Sequence, residues 1–126
     1  MKAKKICPTL FTEDLQATIQ FYCDELSFRV DVLWPEDEAT FCILQNGEQF
    51  LSFYSDALAG ESEAMMSGQL HIDTADVLSL HQRLQQNHEI LWGPDVYHYG
   101  RREFSVADPN GYRLVFSEAT DDPPTC

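Results

Sequence analysis

The sequence predicts an α+β fold of two tandem βαβββ modules. Their eight strands should form a curved, partly closed mixed sheet around a cavity, with two helices on the outside. An acidic helix start occurs twice, at residues 12–14 and 74–76. An Asn-Gly turn follows each start at a similar distance, first at Asn46-Gly47 and then at Asn110-Gly111, and precedes an apolar strand-like segment. The second half of the chain therefore repeats the pattern of the first.

The length of the chain suits one domain. With 126 residues, 44% of them hydrophobic, it can bury roughly two thirds of its unfolded surface. We expect a single domain over residues 1–126 with internal repeats at residues 1–56 and 68–118, joined by a small, acidic linker at residues 57–67. Either repeat would be marginal alone, so both are expected to fold together.

The first module opens with a strand over residues 4–11 that Pro8 interrupts. Because proline has no N–H for a ladder, this strand should lie at a sheet edge or exchange partners. Asp14 is the predicted N-cap of an amphipathic helix. The buried stripe of that helix is Leu15, Ile19, Tyr22 and Leu26, and strands follow at residues 28–33, 41–45 and 49–55.

The second module repeats this order. Asp76 or Thr74 caps its helix, and Gly93-Pro94 should end the short strand that follows. The tail at residues 121–124, with two acidic residues and two prolines, is expected to be mobile. The helix stripe is Val77, Leu80 and Leu84, and the strands are residues 69–74, 89–92, 101–106 and 112–117.

The formal net charge of −13 restricts the partners. Phosphate backbones and anionic membranes would be repelled, whereas a cationic small molecule would be attracted. Acidity alone also serves solubility, so both interpretations stay open. No apolar run reaches the ~20 residues that cross a bilayer, and residues 1–5 lack the apolar continuation of a secretory signal. We expect a cytoplasmic protein whose four cysteines, with no Cys-x-x-Cys pair, are reduced and structural.

Five short segments lie in the order found in one known superfamily. They are Glu13-Asp14-Leu15, Phe21-Tyr22, Leu26-Ser27-Phe28, Arg102-Glu103-Phe104 and Asp108-Pro109-Asn110-Gly111. With these segments the chain resembles the vicinal oxygen chelate superfamily, which includes glyoxalase, extradiol dioxygenases and the fosfomycin and bleomycin resistance proteins. The resemblance covers nearly the whole chain. It implies the fold predicted above, although the superfamily holds both enzymes and plain binding proteins.

Within the superfamily the chain is most similar to the bleomycin-resistance branch. Pro8 and residues 43–48, which lead to Leu51 and Phe53, carry this closer resemblance. It implies a homodimer whose ligand clefts are shared between the subunits. It also implies that the first strand can be exchanged between subunits at Pro8.

The resemblance further implies where a divalent metal would lie. Enzymes of the superfamily hold it with one residue from each of four strands, and the matching positions here are Cys7, Ser52, Gln69 and Val115. Val115 has no lone pair, and a serine hydroxyl is a poor neutral ligand. Cys7 and Gln69 alone would make a weak site, so no metal or other cofactor is predicted.

His71 keeps the question of a metal open. Side chains alternate along a strand, so His71 shares a face with Gln69 and Asp73. Three roles are compatible with this position. His71 is a hydrogen-bonded structural residue, a base that contacts a ligand, or a displaced metal ligand.

Aromatic side chains beside excess negative charge favour a planar or cationic organic ligand, although core packing or a dimer interface also explains such residues. Arg101 could receive a ligand carboxylate or phosphonate, or simply pair with a neighbouring acidic residue. The predicted ligand-binding residues are Trp34, Phe50, Ser52, Gln69, His71, Tyr99, Arg101 and Arg113.

Three functions follow from these patterns. The first is a metal-free protein that binds and sequesters an aromatic or cationic small molecule. The second is a metal-dependent glyoxalase-like lyase or dioxygenase with non-standard ligands such as Cys7, Gln69 and His71. The third is a protein-interaction module with a vestigial cleft. No nucleophile–base set or phosphate-binding glycine loop identifies catalytic residues.

Overall fold

The computed structural model describes residues 1–126, which divide into two compact units, Met1–Met65 and Met66–Cys126. Each unit contains a helix and a four-stranded mixed sheet that does not close on itself, which confirms the predicted α+β class. The first unit contains β1 (Thr9–Phe11), α1 (Leu15–Gln20), a π-helical turn (Phe21–Glu25), β2 (Arg29–Trp34), β3 (Phe41–Asn46) and β4 (Gln49–Tyr54). The second contains β5 (Leu70–Asp73), α2 (Val77–Leu84), β6 (Ile90–Tyr97), β7 (Arg101–Ala107) and β8 (Arg113–Ala119).

The first sheet has the order β1-β4-β3-β2, and β1 runs parallel to β4. Pro8 precedes β1 and uses its carbonyl, which accepts a 2.9 Å hydrogen bond from Ser52 N. Pro8 therefore contributes to the pairing through its carbonyl although it has no N–H. As Pro8 predicts, β1 lies at the edge of the sheet. The strand is shorter than expected, because pairing with β4 begins only at Thr9.

The helices begin where the sequence predicts. The Asp14 side chain accepts a hydrogen bond from Ala17 N at 3.0 Å and caps α1. Asp76 caps α2 in the same way through Ser79 N at 3.2 Å, so it is Asp76 rather than Thr74 that fills this role. Tyr22 is fully buried and lies 5.2 Å from the Phe53 ring, which anchors the helical segment to the first sheet.

The second sheet has the order β5-β8-β7-β6, so β6 is an edge strand. The prediction that Gly93-Pro94 ends this strand is wrong, because β6 continues to Tyr97. Register shifts on both sides of Trp92 interrupt the ladder with β7, and an edge strand tolerates a residue without an N–H. Gly93 has a φ of +78°, and an added Cβ would lie 2.4 Å from Glu103 O, so only glycine fits this close approach.

The C-terminal tail is also more ordered than its composition predicts. Thr125 N donates to Val96 O at 2.9 Å, and Val96 N donates to Thr125 Oγ1 at 2.8 Å. Asp122 forms an ion pair with Arg102. These contacts bind the tail to β6 and β7, and the pairing with Val96 protects backbone groups that an edge strand would otherwise expose.

Neither helix combines the length and the apolar character that a membrane-crossing helix requires.

Candidate functional site

The candidate site lies on one face of the second sheet. Phe104 lies 5.2 Å from the His81 ring of α2, so the helix covers the face to which Phe104 points. Side chains alternate, and Glu103 therefore points to the opposite face. The β7–β8 register places Glu103 beside Ser117, and the β5–β8 register places His71 beside Val115.

Glu103 is the centre of this face. Its side chain is buried, at 5% exposure, yet both carboxylate oxygens have partners. Oε1 accepts a 2.6 Å hydrogen bond from Tyr99 OH, and Oε2 lies 3.1 Å from His71 Nε2. Ser117 lies beside Glu103 in the β7–β8 register and also lowers the pKa of the carboxyl. We call Glu103, Tyr99, His71 and Ser117 the Glu103 cluster.

The cluster keeps Glu103 ionised. Burial alone would raise the pKa of this carboxyl, but the hydrogen bond from Tyr99 and the neighbouring Ser117 and His71 side chains hold its pKa below the ordinary value. The hydrogen bond between Tyr99 and Glu103 has the opposite effect on the pKa of the Tyr99 phenol. The hydrogen bond to Glu103, with burial and the carboxylate charge, raises the pKa of Tyr99 to about 12.

An aromatic row adjoins the cluster. Tyr97 and Tyr99 stack with ring centroids 5.5 Å apart and an interplanar angle of 7°. Trp92 meets Tyr97 edge to face, with centroids 6.2 Å apart. Tyr99 remains 55% exposed, so part of this stacked surface is accessible to a flat molecule.

Arg101 and Arg113 have different surroundings. Arg101 Nε donates to Ser117 Oγ at 2.8 Å, and the guanidinium forms an ion pair with Asp73. Arg101 therefore pairs with a neighbouring acidic residue, as one of the two predicted roles requires. Arg113 is exposed, and its guanidinium donates to Gly68 O at 3.4 Å. Gln69 is exposed directly before β5.

The predicted residues of the first unit form no comparable cluster. Ser52 Oγ lies 3.2 Å from Cys7 Sγ, and Lys5 Nζ lies 3.9 Å from the centroid of the Phe50 ring. Trp34 is 65% exposed at the end of β2. The structure thus brings His71 and Tyr99 into the Glu103 cluster and places Arg101 beside it through Ser117, whereas the other five predicted residues lie elsewhere.

Glu103 is the residue that sequence reasoning missed as a site residue. The motif Arg102-Glu103-Phe104 indicates only the family resemblance. A usable signal is nevertheless present in the chain. Residues 103–106 read as a buried strand, and an acidic residue inside such a strand must have partners.

The positions that the resemblance assigns to a metal do not fit one. Val115 is 1% exposed and has no donor atom, and Ser52 is engaged by Cys7. No group of three or more His, Cys, Asp or Glu side chains is arranged to hold a metal ion. His71 and Glu103 alone supply too few ligands for a divalent ion, so no chemical step is assigned to a metal.

Comparison with known proteins identifies the family. Residues 6–116 match the family described as the Glyoxalase/Bleomycin resistance protein/Dioxygenase superfamily. No curated protein sequence matches the chain.

Solved structures share the fold at low sequence identity. A virulence protein from Salmonella typhimurium is 22% identical, with a TM-score of 0.73 over 95% of this chain and 100% of its own. Lactoylglutathione lyase from Agrobacterium tumefaciens is 19% identical, with a TM-score of 0.68 over 94% and 96%. TioX from Micromonospora sp. ML1 is 15% identical, with a TM-score of 0.76 over 93% and 99%. Since the family match spans most of the sequence, the chain belongs to the glyoxalase/bleomycin resistance protein/dioxygenase superfamily.

Proposed function

We propose that the protein binds and sequesters a small aromatic or cationic molecule without a metal, as bleomycin-resistance proteins do. The observation that carries this proposal is the aromatic row beside an ionised, buried carboxylate. The stacked tyrosines offer a flat surface, and Glu103 gives it a fixed negative charge. Such surfaces favour planar cations by roughly 0.5–2 kcal/mol for each good cation–π contact.

The charge of the whole chain supports the same ligand class. A net charge of −13 raises the local concentration of cationic molecules and lowers that of phosphates and carboxylates. Arg101 does not counter this preference at the site, because Asp73 already pairs with its guanidinium. The four free cysteines support the proposal that the protein works in the reducing cytoplasm.

The test uses 1-naphthylmethylamine, a planar aromatic cation, as the probe. We expect it to raise the melting temperature and to bind saturably in calorimetry. Replacing Tyr99 with alanine should weaken binding about tenfold, because the stacked surface is lost. Leu78, exposed on α2, supplies the matched control, and Leu78→Ala should leave the affinity unchanged. Absence of saturable binding by the wild-type protein would refute the proposal.

The metal-dependent lyase or dioxygenase is tested on the same sample. Metal content is measured first, and Ni²⁺, Zn²⁺, Mn²⁺ and Fe²⁺ are then titrated in by calorimetry. Under our proposal none of them binds tightly. Stoichiometric binding that disappears in His71→Ala would replace our proposal with the metal-dependent alternative.

A further inference from the structure

The half-exposed imidazole of His71 holds a polar atom that the Glu103 cluster does not use. Its Nε2 lies 3.1 Å from Glu103 Oε2, and its side chain is 52% exposed. Nδ1 is the remaining polar atom of the ring. It lies on the same sheet face as the stacked tyrosines, because His71 and Tyr99 meet at one carboxylate.

The contact with Glu103 fixes the tautomer of a neutral His71. An ionised carboxylate can only accept hydrogen bonds, so the ring nitrogen beside it must carry the proton. Nε2 is therefore the donor, and Nδ1 of the neutral ring is an acceptor. Glu103 acts here as a positioning residue for His71, since it orients the ring and faces no ligand itself.

The other polar groups of the cluster are already engaged. Tyr99 OH donates to Glu103, and Ser117 Oγ accepts from Arg101 Nε. The buried carboxylate has its donors and offers no open oxygen at the surface. Within the Glu103 cluster, Nδ1 of His71 is therefore the polar atom that remains for a ligand group.

We propose that His71 Nδ1 is the polar anchor of the site and accepts a hydrogen bond from an N–H or O–H of the ligand. This inference rests on the proposed binding function and narrows its ligand class. The ligand is a planar aromatic molecule that carries a hydrogen-bond donor, such as a protonated primary amine or a phenol. A quaternary ammonium compound has a positive charge but no hydrogen-bond donor, so it cannot bind to this anchor.

Two probes of equal charge separate hydrogen bonding from cation–π attraction. They are 1-naphthylmethylamine, protonated at neutral pH, and its N,N,N-trimethyl analogue, which share one ring system. Both can stack on Tyr99, but only the primary ammonium can donate to Nδ1. We expect the wild-type protein to bind the primary amine at least tenfold more tightly, the contribution typical of a hydrogen bond to a charged group.

His71→Gln is the informative variant. The glutamine Nε2 can still donate to Glu103, so the buried carboxylate keeps a partner. The glutamine acceptor Oε1 is bonded to the same carbon as Nε2 and does not lie at the position of Nδ1. In this variant the tenfold preference for the primary amine over the trimethyl analogue should disappear, because only the affinity for the primary amine falls. His88→Gln, in the turn between α2 and β6, is the matched control and should keep the preference.

The tautomer provides a readout that needs no ligand. Nitrogen-15 spectra at mildly alkaline pH should show His71 protonated at Nε2 and not at Nδ1. The inference is overturned by the opposite tautomer, by equal affinities of the wild-type protein for both probes, or by a preference that survives in His71→Gln. Failure of both probes to bind instead refutes the proposed function, and this inference with it.

Discussion

Tyr99 OH donates a 2.6 Å hydrogen bond to Oε1 of Glu103, a residue that is only 4% exposed. This contact joins the exposed aromatic row to a charge held inside the sheet. It also links the titrations of the two groups, because the hydrogen bond favours neutral Tyr99 and ionised Glu103 together.

Tyr99 should ionise only in strongly alkaline solution. Its pKa of about 12 lies above the ordinary value of roughly 10. A raised pKa means that Tyr99 stabilises the fold below pH ~10 and loses this contribution as the pH rises toward 12. Ultraviolet titration of the phenolate band should show a late-titrating tyrosine that is missing in Tyr99→Phe. An unchanged late phase in that variant would contradict the assignment.

Glu103 should contribute to stability at neutral pH and lose that contribution in acid. Its pKa is lowered, so the contribution is present above the ordinary carboxyl value and disappears as the pH falls through the lowered one. Glu103→Gln should cost about 1–3 kcal/mol in the free energy of unfolding at neutral pH. Urea denaturation across the acidic range measures this difference, which should shrink below pH ~4. Glu48→Gln, in the exposed β3–β4 turn, should change stability by less than about 0.5 kcal/mol.

Gly93→Ala should destabilise the fold far more than Gly111→Ala, because free space surrounds only Gly111. The new Cβ would lie 2.4 Å from Glu103 O and 2.9 Å from Phe104 Cα, both backbone atoms that cannot move freely. Gly111 also has a positive φ, +85°, but nothing lies within 4 Å of its added Cβ. We expect Gly111→Ala to cost about 1–2 kcal/mol from backbone strain alone, and Gly93→Ala to lower the melting temperature much further. Equal losses in thermal denaturation would argue against the close approach.

Cys42 should resist thiol reagents in the native protein. It is fully buried, and burial raises its pKa to about 11 despite a hydrogen bond from the Phe53 backbone. Cys126 is exposed and should react at once with Ellman's reagent. Denaturant should make the Cys42 thiol accessible to the reagent. In Cys42→Ser, the number of thiols that react only after unfolding should fall by one. Rapid reaction of all four cysteines before unfolding would refute the prediction.

We propose that the chain is a homodimer and that β2 takes part in the interface. This strand lies at the edge of the first sheet and exposes Val30, Val32, Leu33 and Trp34 by 38–65%. Val32→Lys should convert a dimer to a monomer in sedimentation equilibrium, whereas Leu78→Lys on α2 should not. A monomeric wild-type protein would contradict the proposal, and so would a Val32→Lys dimer of unchanged affinity.

Local chemistry explains which parts of the fold were predictable. Asp14 and Asp76 cap helices through hydrogen bonds that span three residues, so the sequence alone determines them. β6 was not predictable from its Gly93-Pro94 pair, because its continuation depends on an edge position and on register shifts against β7. The order of the tail likewise depends on Val96 and Arg102, which are distant in sequence.

The candidate site was predictable only in part. Alternation places His71 on its sheet face, and proximity to a turn suggests ligand contact for Tyr99. The sequence could not show that both reach one carboxylate, because the pairing of β5 with β8 and of β8 with β7 brings them there. Glu103 became recognisable only when its burial and its partners were known together.

The Glu103 cluster occupies one copy of a duplicated pattern, and the matching positions of the other copy cannot form it. By ladder position, Thr9 in the first sheet corresponds to His71, and Phe41 corresponds to Glu103. A threonine hydroxyl and a phenyl ring cannot reproduce the contact of an imidazole with a carboxylate. The duplicated backbone therefore does not duplicate the chemistry, and only the second copy places an imidazole against a carboxylate at these two ladder positions.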